Sequence, residues 1–551
     1  MGSVTTVENR SSEPVEDRSS PDPGSREHTA GESRPPSRSR RDLLRFGSLA
    51  GAGAVAVACA PAAPGTTPTV PAGGGGSGGP DAWSSATGMH IARRLTWGAT
   101  PGLAAHISQM GLQPWLEEQL NPAALDDSHL APMLATWQKP NQSAAQIKAS
   151  GEDWKVAQEM AAHETIRRSY SRRQLHELVS DFWFDHFNVD VNHSAARPHL
   201  PGYDRDVIRA HAFGRFADLL PAVATHPAML HYLDQASSRA DHGRTPNENF
   251  AREVLELHTV GSSGGYEEDD ISAVAHLLSG WSVTDYVSGF TFRASWHDMG
   301  PMAGRTVLGW SPGSLTGEAA GRAFLNHIAH HPATARRICH KLAVRLIGDH
   351  IGSGDAVVNR AVGAYQSSGT SITEVIRTLV LSGEFADSAG AKVRRPASLL
   401  TQLIRALDIA WQTPANPDSF LWRNWNALAQ LGNANHAWPA PNGYPDANGF
   451  WLSVGSLVSR WNMPVWLVYN SVDGMPYDAA ATQSWAPNRK WGEWLDALAT
   501  RIAGEPWPPE LRASILSQYG VTDQTVFRSW DHHYAKPIIT VLLQTPGFQR
   551  S

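Results

Sequence analysis

The chain has 551 residues, 41% of them apolar and 18% charged, which supplies a large core and excludes wholesale disorder. Lys plus Arg number 46 against 52 Asp plus Glu, a formal charge of -6, so the basic surplus expected of a nucleic-acid binder is missing. The two cysteines, Cys59 and Cys339, exclude a cysteine-based zinc or iron–sulfur cluster and any disulfide-rich scaffold.

Residues 1–60 read as a disordered extension followed by an export signal. Arg40-Arg41 precedes the small apolar run Phe46 to Ala58, a charged n-region before a short h-region, and the paired arginines give it a twin-arginine character. Ala56-Val57-Ala58-Cys59 is a loose lipoprotein-type ending, so an N-terminal lipid on Cys59 is the one membrane attachment foreseen. Residues 61–82, rich in Pro, Gly, Thr and Ser, form a linker. The expected location is extracellular or in the cell envelope.

The remainder is expected to be mainly α, a large multi-helix body with one or two small β-hairpins. A main helical domain is read over 83–391, and a helical C-terminal subdomain packed on it over 392–551. Apolar periodicity predicts helices over 88–94 and from Pro101 to Leu120, and a continuous helical stretch over 154–188. Helices follow over 205–220 and 226–235, the second opened by His226-Pro227. Alternation around Ser288-Gly289 predicts a hairpin over 282–293. Further helices are predicted over 316–329, 332–347, 352–364, 371–382, 395–410, 450–470, 487–503, 508–518 and 534–543. Twelve of the 21 tryptophans lie from Trp411 onward, most simply as fillers of wide interhelix space.

The segment Asn247 to His258 carries the strongest candidate chemistry. At 100° per residue, Arg252, Glu253 and Glu256 fall on one polar stripe with Glu248 and Asn249, opposite an apolar stripe of Phe250, Val254 and Leu257. Glu253 and Glu256, three apart, can aim at one point, as acid–base chemistry or metal ligation requires. Asp181 to His193 packs acids and histidines among aromatics, so that Asp185 or His186 must point inward and find a partner. His297-Asp298 sits on a loop just after the hairpin. From these residues the catalytic set is Glu253 (base or metal ligand), Glu256 (its partner), His297 (proton shuttle), Asp298 (orienter) and Arg252 (clamp). His186, Glu253, His297 and Asp298 form the candidate metal set, with a divalent cation as the cofactor they would hold. Cys339, flanked by Ile338 and Leu342, reads as a buried structural thiol.

Several motifs recur in one order: His90-x-x-Arg-Arg-Leu95, Asp181 to Phe187, His226-Pro to Asp234, Asn247-Glu-Asn-Phe-Ala-Arg-Glu253, Gly280-Trp281, His297-Asp298, His331-Pro to Arg336 and Lys392-Val-Arg-Arg-Pro396. Over about residues 85–545 this resembles the bacterial exported family known as domain of unknown function 1800. The resemblance implies a mainly helical fold, often with a twin-arginine signal, and often encoded beside a second exported, sulfatase-like family. It maps family positions onto His186, Asn247, Glu248, Asn249, Arg252, Glu253, Gly280, Trp281, His297 and Asp298. The chain departs from it at Phe184 and Asp185, where His and Asn are common, at His258, where Phe is usual, and at Met302, near a frequent Lys. Two readings stay open. One is an exported hydrolase-like enzyme, metal-assisted, acting on a polysaccharide or other envelope or extracellular polymer. The other is a non-enzymatic envelope scaffold or partner of the sulfatase-like protein.

Overall fold

Thr87 opens the first described helix, Gly88–Leu95, by accepting the His90 backbone N–H on its hydroxyl. The computed structural model describes residues 87–469, 472–528 and 531–551; the export-signal, lipid-anchor and linker readings lie outside the described residues. Residues 87–551 fall within a single compact unit. The fold is mainly α, with one two-stranded antiparallel sheet among the described residues.

Local chemistry sets most of the helix boundaries. Thr100 caps Pro101–Met110, and Gly111, at φ 89°, separates it from Leu112–Gln119. His226 and His331 each cap a helix whose first residue is proline: their Nδ1 atoms accept the Ala228 and Ala333 N–H groups, both at 3.2 Å. The hairpin forms where alternation places it, Trp281–Val283 against Phe290–Phe292, with Trp281 opposite Phe292. Cys339 is buried and its thiol is pushed up to about 12 by burial.

Three features depart from the periodicity. The stretch over 154–188 is two helices, Val156–Tyr170 and Gln174–His186. Ser171 turns extended between them, and the corner is held by Asp127, which accepts the Arg172 N–H at 2.7 Å, and by the Gln174 amide on the Ser171 carbonyl at 2.9 Å. A helix at Pro417–Ala429 forms where none is predicted; Asn416 caps it and Phe420, Leu421 and Leu428 face the core. The segment from Asn247 is α-helical only over Asn249–Glu253, then passes into a π-helix at Val254–His258. Its i→i+5 bonding widens the turn, so residue directions after Val254 no longer follow a 100° count. Leu255 therefore enters the core in full while Leu257 is only half-buried.

Helix Val156–Tyr170 is packed against Pro417–Ala429 and Pro396–Ala406. It thereby joins the early helices to the C-terminal third, the arrangement on which the candidate site is built. Phe250 is fully buried beside Val254, as the apolar stripe requires. Phe250→Ala is expected to cost about 3–5 kcal/mol through lost burial and an incompletely collapsed cavity. Chemical denaturation should show this as a lower midpoint with an unchanged slope.

Candidate functional site

Of the residues singled out around Glu253, Arg252 and Glu256 act on its carboxyl through charge, whereas His186, His297 and Asp298 make their hydrogen bonds with other groups. Arg252 turns outward, its Nη1 donating to Glu268 at 3.0 Å and its Nη2 reaching Glu248 at 3.6 Å. Glu253 is half-buried, and its carboxyl is raised by burial and then by the neighbouring Glu256 carboxylate, with Arg252 opposing. His297 is held by Ser279, whose carbonyl lies 3.0 Å from its Nδ1; Nε2 is buried with no hydrogen-bond partner. Asp298 is exposed and accepts the Gly300 N–H at 2.9 Å, which makes it the cap of its own turn. His186 is in the core, 1% exposed. Its Nε2 donates to the His258 carbonyl at 3.1 Å and its Nδ1 accepts from the Lys341 ammonium at 2.9 Å, so both ring nitrogens are engaged. Among the described residues no three His, Cys, Asp or Glu side chains gather as a metal-binding group. The set His186, Glu253, His297 and Asp298 therefore does not fit a shared cation.

The structure gathers its charged chemistry elsewhere, where helices Val156–Tyr170, Gln174–His186, Pro332–Leu346 and Pro396–Ala406 meet the loop over 433–448. Asp181 is the hub. Its Oδ1 accepts from Arg168 at 2.8 Å, and its Oδ2 accepts from Arg345 and lies 3.6 Å from Arg395. Arg168 also reaches back one turn to Glu164 at 2.7 Å and lies over the Trp97 ring, 4.2 Å from its centroid. Glu164 then binds the loop: one oxygen accepts from the Asn435 amide, the other from His436. On the other flank Arg395 donates to Asp185 at 2.6 Å, while Arg345 meets Asp446 at 3.3 Å. Lys392 closes the chain on Asp446 at 2.9 Å and Asp349 at 3.0 Å.

Burial alone would neutralise these groups, and their alternation decides which stay charged. Burial pushes the Glu164 carboxyl up, but His436 and Arg168 outweigh it and hold it well below the usual carboxylate range. Burial pushes His436 down, and Glu164 outweighs that too, raising the imidazole. At Asp185 the balance falls the other way: burial wins over Arg395 and the carboxyl is raised. One cleft thus holds a carboxyl biased toward its ionised form, an imidazole biased toward its protonated form and a carboxyl biased toward its acid form.

The loop is fixed from both sides. Asn188 donates its amide to the Trp438 and Ala440 carbonyls at 2.9 and 2.8 Å, and the Val191 N–H bonds the His436 carbonyl at 2.7 Å. Gly443 sits at φ +70°, where a Cβ would stand 1.9 Å from the Asp185 carbonyl oxygen; only glycine lets the two backbones approach this closely. His436 itself has φ 55°, a conformation costly for a side-chain-bearing residue and held here by its Glu164 and Val191 bonds. Beneath the loop lies a cavity of about 20 Å³, bordered by Glu164, Asp185, Arg395, His436, Trp97 and Tyr444. That is room for about one water molecule. Trp97 Nε1 and Asn435 Oδ1, a donor and an acceptor at its edge, are buried without a protein partner.

Sequence reasoning had Asp185 or His186 pointing inward but missed the roles of Asp181, Glu164, Arg168, Arg345, Arg395, His436 and Asp446. The signals available were Lys392-Val-Arg-Arg-Pro396 and the Pro439–Pro445 cluster with polar Asn433, Asn435 and His436 just before it.

A family model described as "Protein of unknown function (DUF1800)" matches residues 90–550, and the chain belongs to that family. No curated protein and no solved structure matches it.

His258 gives this region a pH test. Its ring is buried against Phe187, Nε2 has no partner, and burial, then Lys341 and Arg337, pushes its pKa down to about 3. The folded state keeps it neutral while the unfolded chain protonates near pH 6.5. The stability it contributes is therefore complete above about pH 6.5 and is lost as pH falls below that. His258→Phe removes both this liability and an unsatisfied buried nitrogen. It should raise stability at pH 7 by about 1 kcal/mol, and by about 1.4 kcal/mol more at pH 5.5, one unit below the unfolded value. Unfolding midpoints at the two pH values check this.

Proposed function

We propose that the chain is an exported, hydrolase-like acid–base enzyme acting on a polar envelope or extracellular polymer, with its reaction centre in the cleft beneath loop 433–448. The observation that carries this reading is the opposed bias of two carboxyls on one cavity, Asp185 toward the acid and Glu164 toward the carboxylate. Acid–base hydrolysis needs such a pair: one group to protonate a leaving oxygen, another to orient or deprotonate water. Asp185 takes the first role. Glu164, with His436 hydrogen-bonded to it, takes the second. Arg395 and Arg168 supply fixed cations for an anionic substrate group, and the Trp97 and Tyr444 rings supply flat apolar walls. The cavity admits about one water, so a polymer reaches these groups when loop 433–448 lifts from Asn188 and Val191. Among the described residues no three His, Cys, Asp or Glu side chains gather as a metal-binding group, and the scheme uses the chain's own acid and base groups.

The second reading keeps the chemistry at Glu253, which is half-buried with a raised carboxyl and, by charge, has Arg252 as its opposing neighbour. Two variants separate them. With purified cell-wall polysaccharide and peptidoglycan as substrates, Asp185→Asn should lower the release of soluble fragments at least about 100-fold, the usual scale of a lost general acid. Glu253→Gln should leave the rate within about twofold. Loss in Glu253→Gln with Asp185→Asn intact would return the chemistry to the 252–298 region. Equal activity in wild type and both variants would refute both assignments.

A further inference from the structure

Helix Val454–Tyr469 leaves an apolar side uncovered. Val454 is 80% exposed, Val458 50% and Tyr469 48%, and Val465 is exposed as well. At 100° per residue these four fall within about 60° of one another, a single stripe along about 24 Å of helix. Phe450 and Leu452, also exposed, extend it past the helix N-terminus. Isolated exposed apolar residues are ordinary, whereas four on one helix stripe, with two more just before it in the chain, mark a contact surface.

The charges indicate what covers it. From Ala447 to Val472 the only ionisable Lys, Arg, Asp or Glu is Arg460. It is 1% exposed and turned inward, donating to the Arg394 carbonyl and to Gln549 at 3.2 Å. The stripe therefore presents no charge of its own. Its ends are aromatic, Phe450 and Tyr469, and the Lys536 ammonium sits 5.7 Å from the Tyr469 ring centroid. Aliphatic residues between aromatic ends, with a cation at the margin, match the boundary between acyl chains and anionic headgroups. Within this segment the exposed polar side chains Ser453 and Asn462 are uncharged, so the stripe has no charged rim of its own of the kind a protein partner normally meets. Among the described residues no helix is long and apolar enough to cross a bilayer, so the contact is a surface one.

We propose that the Phe450–Tyr469 face is a peripheral membrane-binding surface, seating the body on an anionic lipid bilayer with Val454, Val458 and Val465 dipped into the acyl boundary. This rests on the export reading only for its biological setting. Cys59, read from the sequence as a lipid-attachment point, lies 28 residues before Thr87 along the chain. With a lipid on Cys59, the stripe would add the second, weaker attachment that a single lipid needs for stable anchoring.

The test is co-sedimentation of the full-length protein with vesicles of phosphatidylcholine and phosphatidylglycerol, 4:1, and of phosphatidylcholine alone. Wild type should partition onto the mixed vesicles, and Val458→Glu/Val465→Glu should bind at least about tenfold more weakly with an unchanged melting temperature. The milder Val454→Ser/Val458→Ser/Val465→Ser should fall between them, guarding against a folding defect in the charged variant. Residues 1–86 are the same in all three proteins, so any binding they contribute cancels. Equal partitioning of the three, or none by wild type, overturns the proposal. So does a vesicle-independent dimer in sedimentation velocity that the glutamates dissociate, because the face would then belong to a second copy. Hydrolase activity plays no part in the readout, so the two proposals fail separately.

Discussion

The interaction on which the rest depends is the alternation of charge around Asp181. Three guanidinium groups, Arg168, Arg345 and Arg395, converge on this one carboxylate from three different helices. None could be buried alone: an unpaired charge in the interior costs several kcal/mol, and removing one partner of a buried pair typically costs about 3–5 kcal/mol. Each arginine is therefore shared with a second acid, Glu164, Asp446 or Asp185. Burying the network constrains the helices to one arrangement, because a small displacement would leave a cation without its partner.

The same constraint holds the loop over 433–448. It is rich in proline and asparagine, has little regular structure, and contributes few large apolar side chains to the core. Its position comes instead from polar attachments: His436 and Asn435 on Glu164, Asp446 on Arg345 and Lys392, and Asn188 on two of its carbonyls. A segment held by directional bonds over a small polar cavity has a natural mode of opening, since water can replace those bonds where it could not replace lost core packing. That property makes the cleft a better candidate for chemistry than the Glu253 region, where Arg252 and Asp298 are engaged with exposed neighbours.

The helical architecture was legible because its signals are local. His caps and prolines at first helical positions act over two to four residues, and the structure uses them where the pattern places them. Periodicity failed where bonding changed character. The π-turn after Glu253 shifted Leu255 into the core in place of Leu257, and an extended Ser171 divided one expected helix into two. The charged network was not legible, since Glu164 and His436 are 272 residues apart and Asp185 and Arg395 are 210 apart. Nothing in either segment alone identifies its partner. Aromatic residues around Asp185 and His186 did imply inward polar groups, and both are inward, one toward Arg395 and the other toward Lys341.

Hydrogen exchange on Asp181→Asn tests the central dependence most directly. If the network holds the loop, amides over 433–448 and that of Val191 should lose protection by a factor of about ten or more, while those of the Pro332–Leu346 helix core remain protected. Unchanged protection over 433–448, with Asp181 neutralised, would contradict the account and leave apolar packing as what holds the loop in place.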